Sequence, residues 1–264
     1  MRMSWFMSPP ASLCLAAQGQ DTGWARHIRS LASREVALCA ARAYDGGCMA
    51  CSMDVREQME RIYGGLPLDE IPWNLEAPPR VLVELVQSGR VVPCRAVDLG
   101  CGAGNYAVWL ALEGFEVTGI DLSAAAIARA QELARSRRAP CRFAVADLLE
   151  PPEAFDGCFD FAFDWLVLHH VFPADRPRYV ASIYRMVRPG GLYLSVCFSE
   201  DDQAIAGEGK YRQPQLGTLL YLSSEREIRD LFEPWFDVEE LSTVEIEGKR
   251  APHRAVRALM RKRA

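Results

Sequence analysis

The stretch "VDLGCGAGN", residues 97–105, places three glycines within five positions, directly after a short apolar strand pattern that contains Asp98. Glycine has no β-carbon, so the chain at Gly100, Gly102 and Gly104 can turn sharply and let a ligand approach the main chain. The glycines alone fit a tight structural turn as well as a ligand-binding loop. The sequence on either side of this stretch is therefore needed to distinguish the two interpretations.

Strand and helix patterns alternate from this stretch onward. Five strand patterns are present: "CRAVDLG", "EVTGIDLS", "CRFAVADLL", "FDFAFDWLVLHH" and "LYLSVCFS". Helical patterns separate them, among them "AAAIARAQELARSR", which Ser123 is expected to cap. This alternation predicts an α/β fold with a doubly wound, mostly parallel sheet. The closing "FDVEELSTVEI", "EGKR" and "HRAVRALM" predict a C-terminal hairpin that adds an antiparallel strand at the sheet edge and brings the total to seven strands.

Composition restricts the class of protein. The 264 residues are 50% hydrophobic and 25% charged, which is ordinary for a globular protein with a full core. The net charge of -5 argues against nucleic acid or an anionic membrane as a partner, and no apolar run reaches the roughly 18–20 residues of a membrane span. Nine cysteines, an odd number, favour a reducing cytoplasm. Cys48 and Cys51 form a lone CxxC, so no metal site is predicted.

Residues 1–52 differ from the rest of the chain. They are rich in Ala, Ser, Arg, Met and Cys and have no sustained strand pattern. We expect a poorly ordered or partly helical extension there, followed by one folded domain over residues 53–264.

Three acidic residues are predicted at the carboxyl ends of successive strands, where open α/β sheets bind their ligands. Asp98 precedes the glycines, Asp121 ends the second strand and Asp147 ends the third. An acid at the end of the second strand can accept hydrogen bonds from the two ribose hydroxyls of an adenosine. The alternative is that Asp121 only caps the following helix. Three acids so placed favour the ligand-binding interpretation.

The motifs "VDLGCGAGN", "VTGIDLS", "VADLL", "FDFAFDWLVLHHV" and "RPGGLYLSV" together resemble those of class I S-adenosylmethionine-dependent methyltransferases, over residues from about 60 to the C-terminus. The resemblance implies a Rossmann-like fold and S-adenosylmethionine as the cofactor. It implies that the segment from Asp98 through Gly100, Cys101 and Gly102 to Gly104 binds the methionine end of this cofactor.

The same resemblance assigns the rest of the cofactor site. Asp121 and Leu122 are expected at the ribose, and Asp147 and Leu148 at the adenine. Asp164 and Trp165 are expected to line the mouth between the cofactor and the acceptor.

The acceptor is less closely defined. The segments "IPWNLEAPPRVLVELV" and "YLSSEREIRDLFEPWFDVEEL" are similar to small-molecule methyltransferases of the thiopurine and thiol-methylating kind. A thiol or other soft atom is therefore one candidate, and oxygen or nitrogen of a small metabolite is the alternative. A protein that binds the cofactor without catalysis is a third hypothesis, and a nicotinamide oxidoreductase is disfavoured by the glycine spacing. We expect a monomer or homodimer.

Candidate catalytic and acceptor-binding residues lie outside the glycine loop. His169 and His170 follow the fourth strand and are candidate bases; the alternative is that one ring packs beneath the following helix and the other bonds the backbone. His253, in the closing hairpin, is expected to be structural. A hydroxyl acceptor needs such a base, whereas a thiol is already partly ionised at neutral pH. The candidate acceptor contacts are Trp73 and Tyr63 ahead of the sheet, and Tyr211 and Arg212 in a polar segment after the fifth strand.

Overall fold

The computed structural model describes residues 55–214 and 216–263, so the predicted extension and its boundary at residue 53 lie outside the described residues. The helices of the described part are α1 (Val55–Gly65), α2 (Arg80–Gln87), α3 (Asn105–Leu112), α4 (Ala124–Arg137), α5 (Arg176–Met186) and α6 (Glu225–Phe232). The strands are β1 (Arg95–Leu99), β2 (Glu116–Asp121), β3 (Arg142–Val145), β4 (Phe159–Trp165), β5 (Val187–Phe198), β6 (Tyr211–Arg212), β7 (Leu220–Tyr221), β8 (Phe236–Ile246) and β9 (His253–Lys262). Short 3-10 turns occupy Glu153–Phe155 and Leu168–His170.

Seven strands form one sheet in the order β3-β2-β1-β4-β5-β9-β8. The pairs among β1 to β5 are parallel, and β9 runs antiparallel to both β5 and β8. The predicted Rossmann-like, mostly parallel sheet with a C-terminal hairpin is therefore confirmed. Within that hairpin β8 is the outer strand, and the antiparallel strand β9 lies one position inside the edge. Strands β6 and β7 form a separate two-stranded ribbon that the sequence analysis did not predict.

Both faces of the sheet are buried, as a doubly wound fold requires. Along β5, Leu192, Leu194 and Val196 pack into the core cluster that includes Leu82 of α2 and Leu110 of α3. The alternate residues Tyr193 and Cys197 pack into the cluster on the other face, beneath α5 and α6. Side chains of a strand alternate between its two faces, so one apolar run serves both layers.

Ser123 caps the N-terminus of helix α4, as predicted. The Ser123 hydroxyl accepts from the Ala126 amide at 3.1 Å and donates to Glu60 of α1 at 2.6 Å. Glu60 also accepts from the Ala125 amide at 3.1 Å, and the hydrogen bond from Ser123 is the main reason that its pKa is lowered. A carboxylate at a helix N-terminus is favourable because the free amides and the helix dipole attract it. These contacts hold α1 against the carboxyl end of β2.

The glycine turn after β1 needs glycine for conformational reasons. Gly100, Gly102 and Gly104 have φ angles of 70°, 53° and 81°, in the left-handed region that other residues avoid. A β-carbon at Gly104 would stand 2.7 Å from the β-carbon of Ala130 in α4, and one at Gly100 would stand 2.5 Å from a methyl of Val167. The bare backbone is thus required by turn geometry and by close packing of the protein itself.

No helix in the described ranges is both long and apolar enough to cross a membrane.

We expect Gly104→Ala to lower the free energy of unfolding by about 1–3 kcal/mol, because it combines a left-handed φ with a clash against α4. Urea denaturation of the ligand-free protein measures this. The control is Gly65→Ala, where a β-carbon meets no atom within 4 Å, and it should leave the stability unchanged or raise it. Equal stability of Gly104→Ala and the unaltered protein would contradict this account of the turn.

Candidate active site

A cavity of about 460 Å³ opens at the carboxyl ends of β1, β2 and β4, beneath α1. Its volume is in the range of pockets that hold small organic ligands. The turn after β1 contributes Gly100, Cys101 and Gly102 to the cavity wall. Gly104 is not among the lining residues, so the structure gives it a packing role against α4.

Asp121 lies at the end of β2 with both carboxyl oxygens engaged by the main chain. The Gly102 amide donates to Oδ2 at 2.8 Å, and the Ser123 amide donates to Oδ1 at 2.9 Å. Burial raises the pKa of this carboxyl, and the backbone hydrogen bonds partly offset that effect. Each carboxylate oxygen has a second lone pair, so Asp121 can still accept hydrogen bonds from a ligand in the cavity that it lines.

Asp98 is a buried acid without a full set of partners. Its side chain is 2% exposed, and Oδ2 has no hydrogen-bond partner among the described residues. Burial, with a smaller contribution from Asp121 nearby, raises the pKa of Asp98 well above its usual range. An unpaired acid at a cavity wall is costly for the protein alone, and a cationic ligand group would compensate that cost.

The side of the cavity next to β3 carries the third acid. Strand β3 ends at Val145, two residues before Asp147, so the acid lies in the turn that follows the strand. Asp147 accepts a hydrogen bond from the Leu149 amide at 2.8 Å. Asp147, Leu148 and Leu122 all line the cavity. The three predicted acids and their neighbours are therefore brought to one cavity, whereas their roles toward a ligand remain predictions.

Unpartnered polar groups concentrate at this cavity. Ten buried side-chain nitrogen or oxygen atoms of the described residues have no hydrogen-bond partner, and six of them belong to residues that line it. These six are Asp98 Oδ2, the Tyr106 hydroxyl, Trp165 Nε1, His169 Nδ1, the Tyr179 hydroxyl and Thr218 Oγ1. Buried polar groups normally find partners, so a cluster of exceptions indicates a site that a ligand completes.

Tyr63 and Trp73 form part of the cavity wall that precedes the sheet in sequence. Trp73 Nε1 donates to the Tyr63 hydroxyl at 3.0 Å, and both residues line the cavity. The same segment is tied to the glycine turn, because Asn105 Nδ2 donates to Asn74 Oδ1 at 3.0 Å. Asn74 and Asn105, which the sequence analysis did not identify, thus fix this wall over the turn.

His169 and His170 also lie at the cavity. The His169 ring is stacked on Phe198, with centroids 4.5 Å apart, and lies 4.5 Å from the His170 ring. His170 makes an edge contact with Trp73 at 6.5 Å. Burial lowers the pKa of His169 well below its usual range and that of His170 to about 4. Both rings are therefore neutral at pH 7 and hold a proton poorly.

Asp164 does not reach the mouth where the resemblance places it. Its side chain is fully buried and is absent from the cavity wall. Asp164 accepts a hydrogen bond from the Tyr193 hydroxyl on β5, and burial raises its pKa to about 6. Adjacent residues of a strand point to opposite faces, so only one of Asp164 and Trp165 can face the cavity. Trp165 is the one that lines it, in edge contact with Tyr106 at 6.5 Å.

Tyr211 and Arg212 are not brought to the cavity either. The Arg212 guanidinium donates to the backbone carbonyls of Glu200, Asp202, Ile205 and Gly209, and so organises its own loop. Tyr211 packs against Phe172 and Tyr221. The polar segment contributes to the cavity wall through other residues, namely Ile205, Pro214, Leu216, Thr218 and Leu220. The structure therefore does not support acceptor binding by Tyr211 and Arg212.

Tyr106 and Phe198 are further residues of the cavity wall that were not identified from the sequence, and His253, for which only a structural role was expected, also lines it. Tyr106 follows the glycine turn directly, so its position after the motif was the available signal. Phe198 and His253 come from β5 and β9, and only the pairing of those strands brings them together.

We expect Asp98→Asn to raise the free energy of unfolding of the ligand-free protein at neutral pH, by on the order of 1–3 kcal/mol. The fold raises the pKa of Asp98. Ionisation of this acid therefore opposes folding once the pH exceeds the pKa that Asp98 has in the unfolded chain. The gain should therefore shrink as the pH is lowered, and urea denaturation between pH 8 and pH 5 measures it.

Asp121→Asn is the matched comparison. Its carboxyl accepts from two backbone amides, and an amide side chain turns one acceptor into a donor, so stability should fall. A loss of stability in Asp98→Asn at pH 7 would contradict the assignment of an uncompensated charge there.

Residues 96–191 match a family model described as a methyltransferase domain. Over 194 residues the chain is 26% identical to the 2-heptyl-1-hydroxyquinolin-4(1H)-one methyltransferase of Mycobacteroides abscessus, a match that covers 72% of this chain and 80% of the relative. A probable thiol methyltransferase 2 of Arabidopsis thaliana is 28% identical over 137 residues, 50% of this chain and 59% of the relative. A hemagglutinin 1 of Eikenella corrodens is 34% identical over 113 residues, 43% of this chain and 36% of the relative.

Two of these three matches span less than two thirds of the relative's length. Among solved structures, a protein from work on the conversion of a disulfide bond into a thioacetal group during echinomycin biosynthesis superposes with a TM-score of 0.69. It is 25% identical, and the match covers 80% of this chain and 93% of that one. Residues 96–191 therefore match a methyltransferase domain, and the similarity to S-adenosylmethionine-dependent methyltransferases that the motifs predicted is confirmed.

Proposed function

We propose that this protein transfers a methyl group from S-adenosylmethionine to an uncharged, largely apolar small molecule. The observation that carries the proposal is the cavity at the strand ends. It combines Asp98, Asp121 and Asp147 with six unpartnered buried polar atoms and with aromatic walls. A ligand with a cationic end, a polar middle and a flat ring fits this set of groups.

The residues of the cavity fit S-adenosylmethionine in this arrangement. Asp98 would bind the ammonium of its methionine end, because one oxygen of this buried acid has no partner and a positive charge would compensate it. Asp121 would accept from the ribose hydroxyls. Asp147 would accept from the adenine amine, beside the apolar side chain of Leu148. The cofactor supplies, when bound, an electrophilic methyl group on a sulfonium.

The chain's own contribution to the reaction is mainly positioning. The Tyr63–Trp73 hydrogen bond and the Asn74–Asn105 hydrogen bond hold the cavity wall over the glycine turn. Such a wall orients two reactants and excludes water between them. Orientation of this kind contributes about 7–11 kcal/mol to rate acceleration in favourable systems.

The walls beyond the glycine turn support the proposed class of acceptor. They carry the rings of Trp73, His170, His169, Phe198 and Phe172. Among the described residues, no lysine or arginine lines the cavity, while its acids include Asp175 and Glu247. A carboxylate or phosphate on the acceptor would have no counter-ion there, so a flat, uncharged molecule is favoured. The similarity to a relative named for a heptyl-hydroxyquinolone supports this class.

A thiol acceptor is the second candidate. The similarity to the Arabidopsis thiol methyltransferase supports it, and a thiol needs little help to ionise. Both candidates share the same donor site and differ only in the acceptor atom.

We expect S-adenosylmethionine and S-adenosylhomocysteine, but not NAD, to bind the protein in isothermal titration calorimetry. Asp121→Ala should weaken the binding of both ligands by at least about 10- to 100-fold, because the loss of even one hydrogen bond to a charged group costs roughly 1.5–3 kcal/mol. The control is Asp156→Ala, an exposed acid that pairs with Arg185 and does not line the cavity. Its affinity should equal that of the unaltered protein.

Two outcomes would contradict the donor assignment. Tight binding of NAD without binding of S-adenosylmethionine or S-adenosylhomocysteine would contradict S-adenosylmethionine as the methyl donor. Unchanged affinity in a folded Asp121→Ala protein would remove Asp121 from the ribose.

We expect 4-hydroxyquinoline or 4-mercaptoquinoline to be methylated with a kcat/KM at least about 10-fold above that of 4-hydroxyquinoline-2-carboxylate, since an unpaired charge in the cavity costs well over 1.4 kcal/mol. Formation of S-adenosylhomocysteine is the readout. Preference for the carboxylate would contradict the uncharged class. Donor binding without turnover of any acceptor in a wider thiol, phenol and amine panel would favour a non-catalytic binding protein.

A further inference from the structure

Asp202, in the loop after β5, is a buried carboxylate that has hydrogen-bond partners in its own loop and in β9. Its side chain is 0% exposed. Oδ1 accepts from the Ile205 amide at 2.9 Å, and Oδ2 accepts from the Arg254 amide at 2.6 Å. Oδ2 also lies 3.1 Å from Nδ1 of His253, the first residue of β9. A carboxylate oxygen acts only as a hydrogen-bond acceptor.

This environment selects one tautomer of His253. Because Oδ2 of Asp202 acts as an acceptor, Nδ1 of His253 carries the proton and donates to it. The lone pair is then on Nε2. A carboxylate that orients an imidazole in this way also stabilises the imidazolium that forms when Nε2 accepts a proton.

His253 belongs to the cavity wall that would face the acceptor. It lines the cavity, and its ring lies against Phe198 with centroids 4.9 Å apart. Phe198 is also stacked with His169. Gly248 of the hairpin is so close that a β-carbon there would lie 3.0 Å from Nε2. The hairpin and Phe198 therefore position the ring, and Asp202 sets which nitrogen is free.

The other two histidines of the described part lack this support. The Nδ1 atom of His169 has no hydrogen-bond partner among the described residues, and burial lowers the pKa of both His169 and His170. No carboxylate pairs with either ring in the described part, whereas Asp202 pairs with His253. In the sequence, the position after β4 favours His169 and His170 as bases, but the hydrogen bonds of the structure favour His253 of the hairpin.

We propose that His253 is the general base of the reaction and that Asp202 is its positioning residue, which assigns the acceptor to molecules whose reacting atom carries a proton, such as a heteroaromatic hydroxyl. This rests on the proposed methyl transfer. The acceptor atom's lone pair forms the bond to the methyl carbon, and the carbon–sulfur bond breaks with its electron pair going to sulfur. The acceptor's proton goes to Nε2 of His253 and from there to solvent.

The tautomer can be measured without any acceptor. In protein labelled with [15N]histidine, long-range 1H–15N correlation spectra distinguish Nδ1–H from Nε2–H rings, and loss of one ring's signals in His253→Gln assigns His253. We expect the Nδ1–H tautomer at pH 7.5 in the unaltered protein and a shift toward Nε2–H in Asp202→Asn. An Nε2–H tautomer in the unaltered protein would overturn the proposal.

Kinetics with a matched pair of acceptors tests the base. With 4-hydroxyquinoline, His253→Gln should lose about 10²- to 10⁴-fold in kcat, as removal of a general base does. With 4-mercaptoquinoline, which is more acidic, the loss should be less than about 5-fold because little base catalysis is needed. Free imidazole should restore part of the hydroxyl activity in His253→Ala. Asp201→Asn, a change at an exposed acid next to Asp202 that does not line the cavity, should leave kcat with both acceptors unchanged.

The outcomes distinguish a wrong assignment of the general base from a wrong proposed function. A folded His253→Gln protein with full hydroxyl activity, or an equal loss with both acceptors and no rescue by imidazole, would overturn the base while the methyltransferase proposal stands. Failure of the unaltered protein to turn over any acceptor would overturn the proposed function, and the base role with it.

Discussion

The hydrogen bond from the Gly102 amide to Asp121 connects the carboxyl ends of the neighbouring strands β1 and β2, and much of the candidate site depends on it. It forms only because the turn after β1 adopts left-handed angles that direct the amide toward β2. Asp121 in turn accepts from the Ser123 amide, at the start of α4, and Ser123 bonds to Glu60. One chain of contacts thus runs from the glycine turn to α1, which contributes Tyr63 to the cavity.

The buried acids of this site lower the stability of the ligand-free protein. Asp98 and Asp121 are both buried, their negative charges repel each other, and burial raises the pKa of each. Asp121 is compensated by backbone amides, whereas one oxygen of Asp98 is not. The difference is consistent with two tasks: Asp121 organises the fold and remains available to a ligand, while Asp98 acquires its partner only when a ligand binds.

The aromatic side of the cavity shows how a base can be built without a strong sequence motif. His169 and His170 are adjacent and follow a strand, but their surroundings are apolar rings, which disfavour the charged imidazolium. His253 lies far away in sequence, at the start of β9, and Asp202 lies in the loop after β5. The antiparallel pairing of β5 with β9 brings Phe198 opposite Ala255 and so brings Asp202 next to His253. The wall is a product of strand pairing.

The sequence by itself determined the alternating elements, the sheet class, the glycine turn and the three acids at the strand ends, because each depends on local patterning and on the rule that parallel strands end at one edge. The tertiary structure decided which neighbouring side chain faces the cavity. It buried Asp164 and exposed Trp165 to the cavity, since alternate strand residues point to opposite faces. It also turned Arg212 toward the carbonyls of its own loop and placed His253 beside Asp202, because such contacts join residues that no periodicity relates.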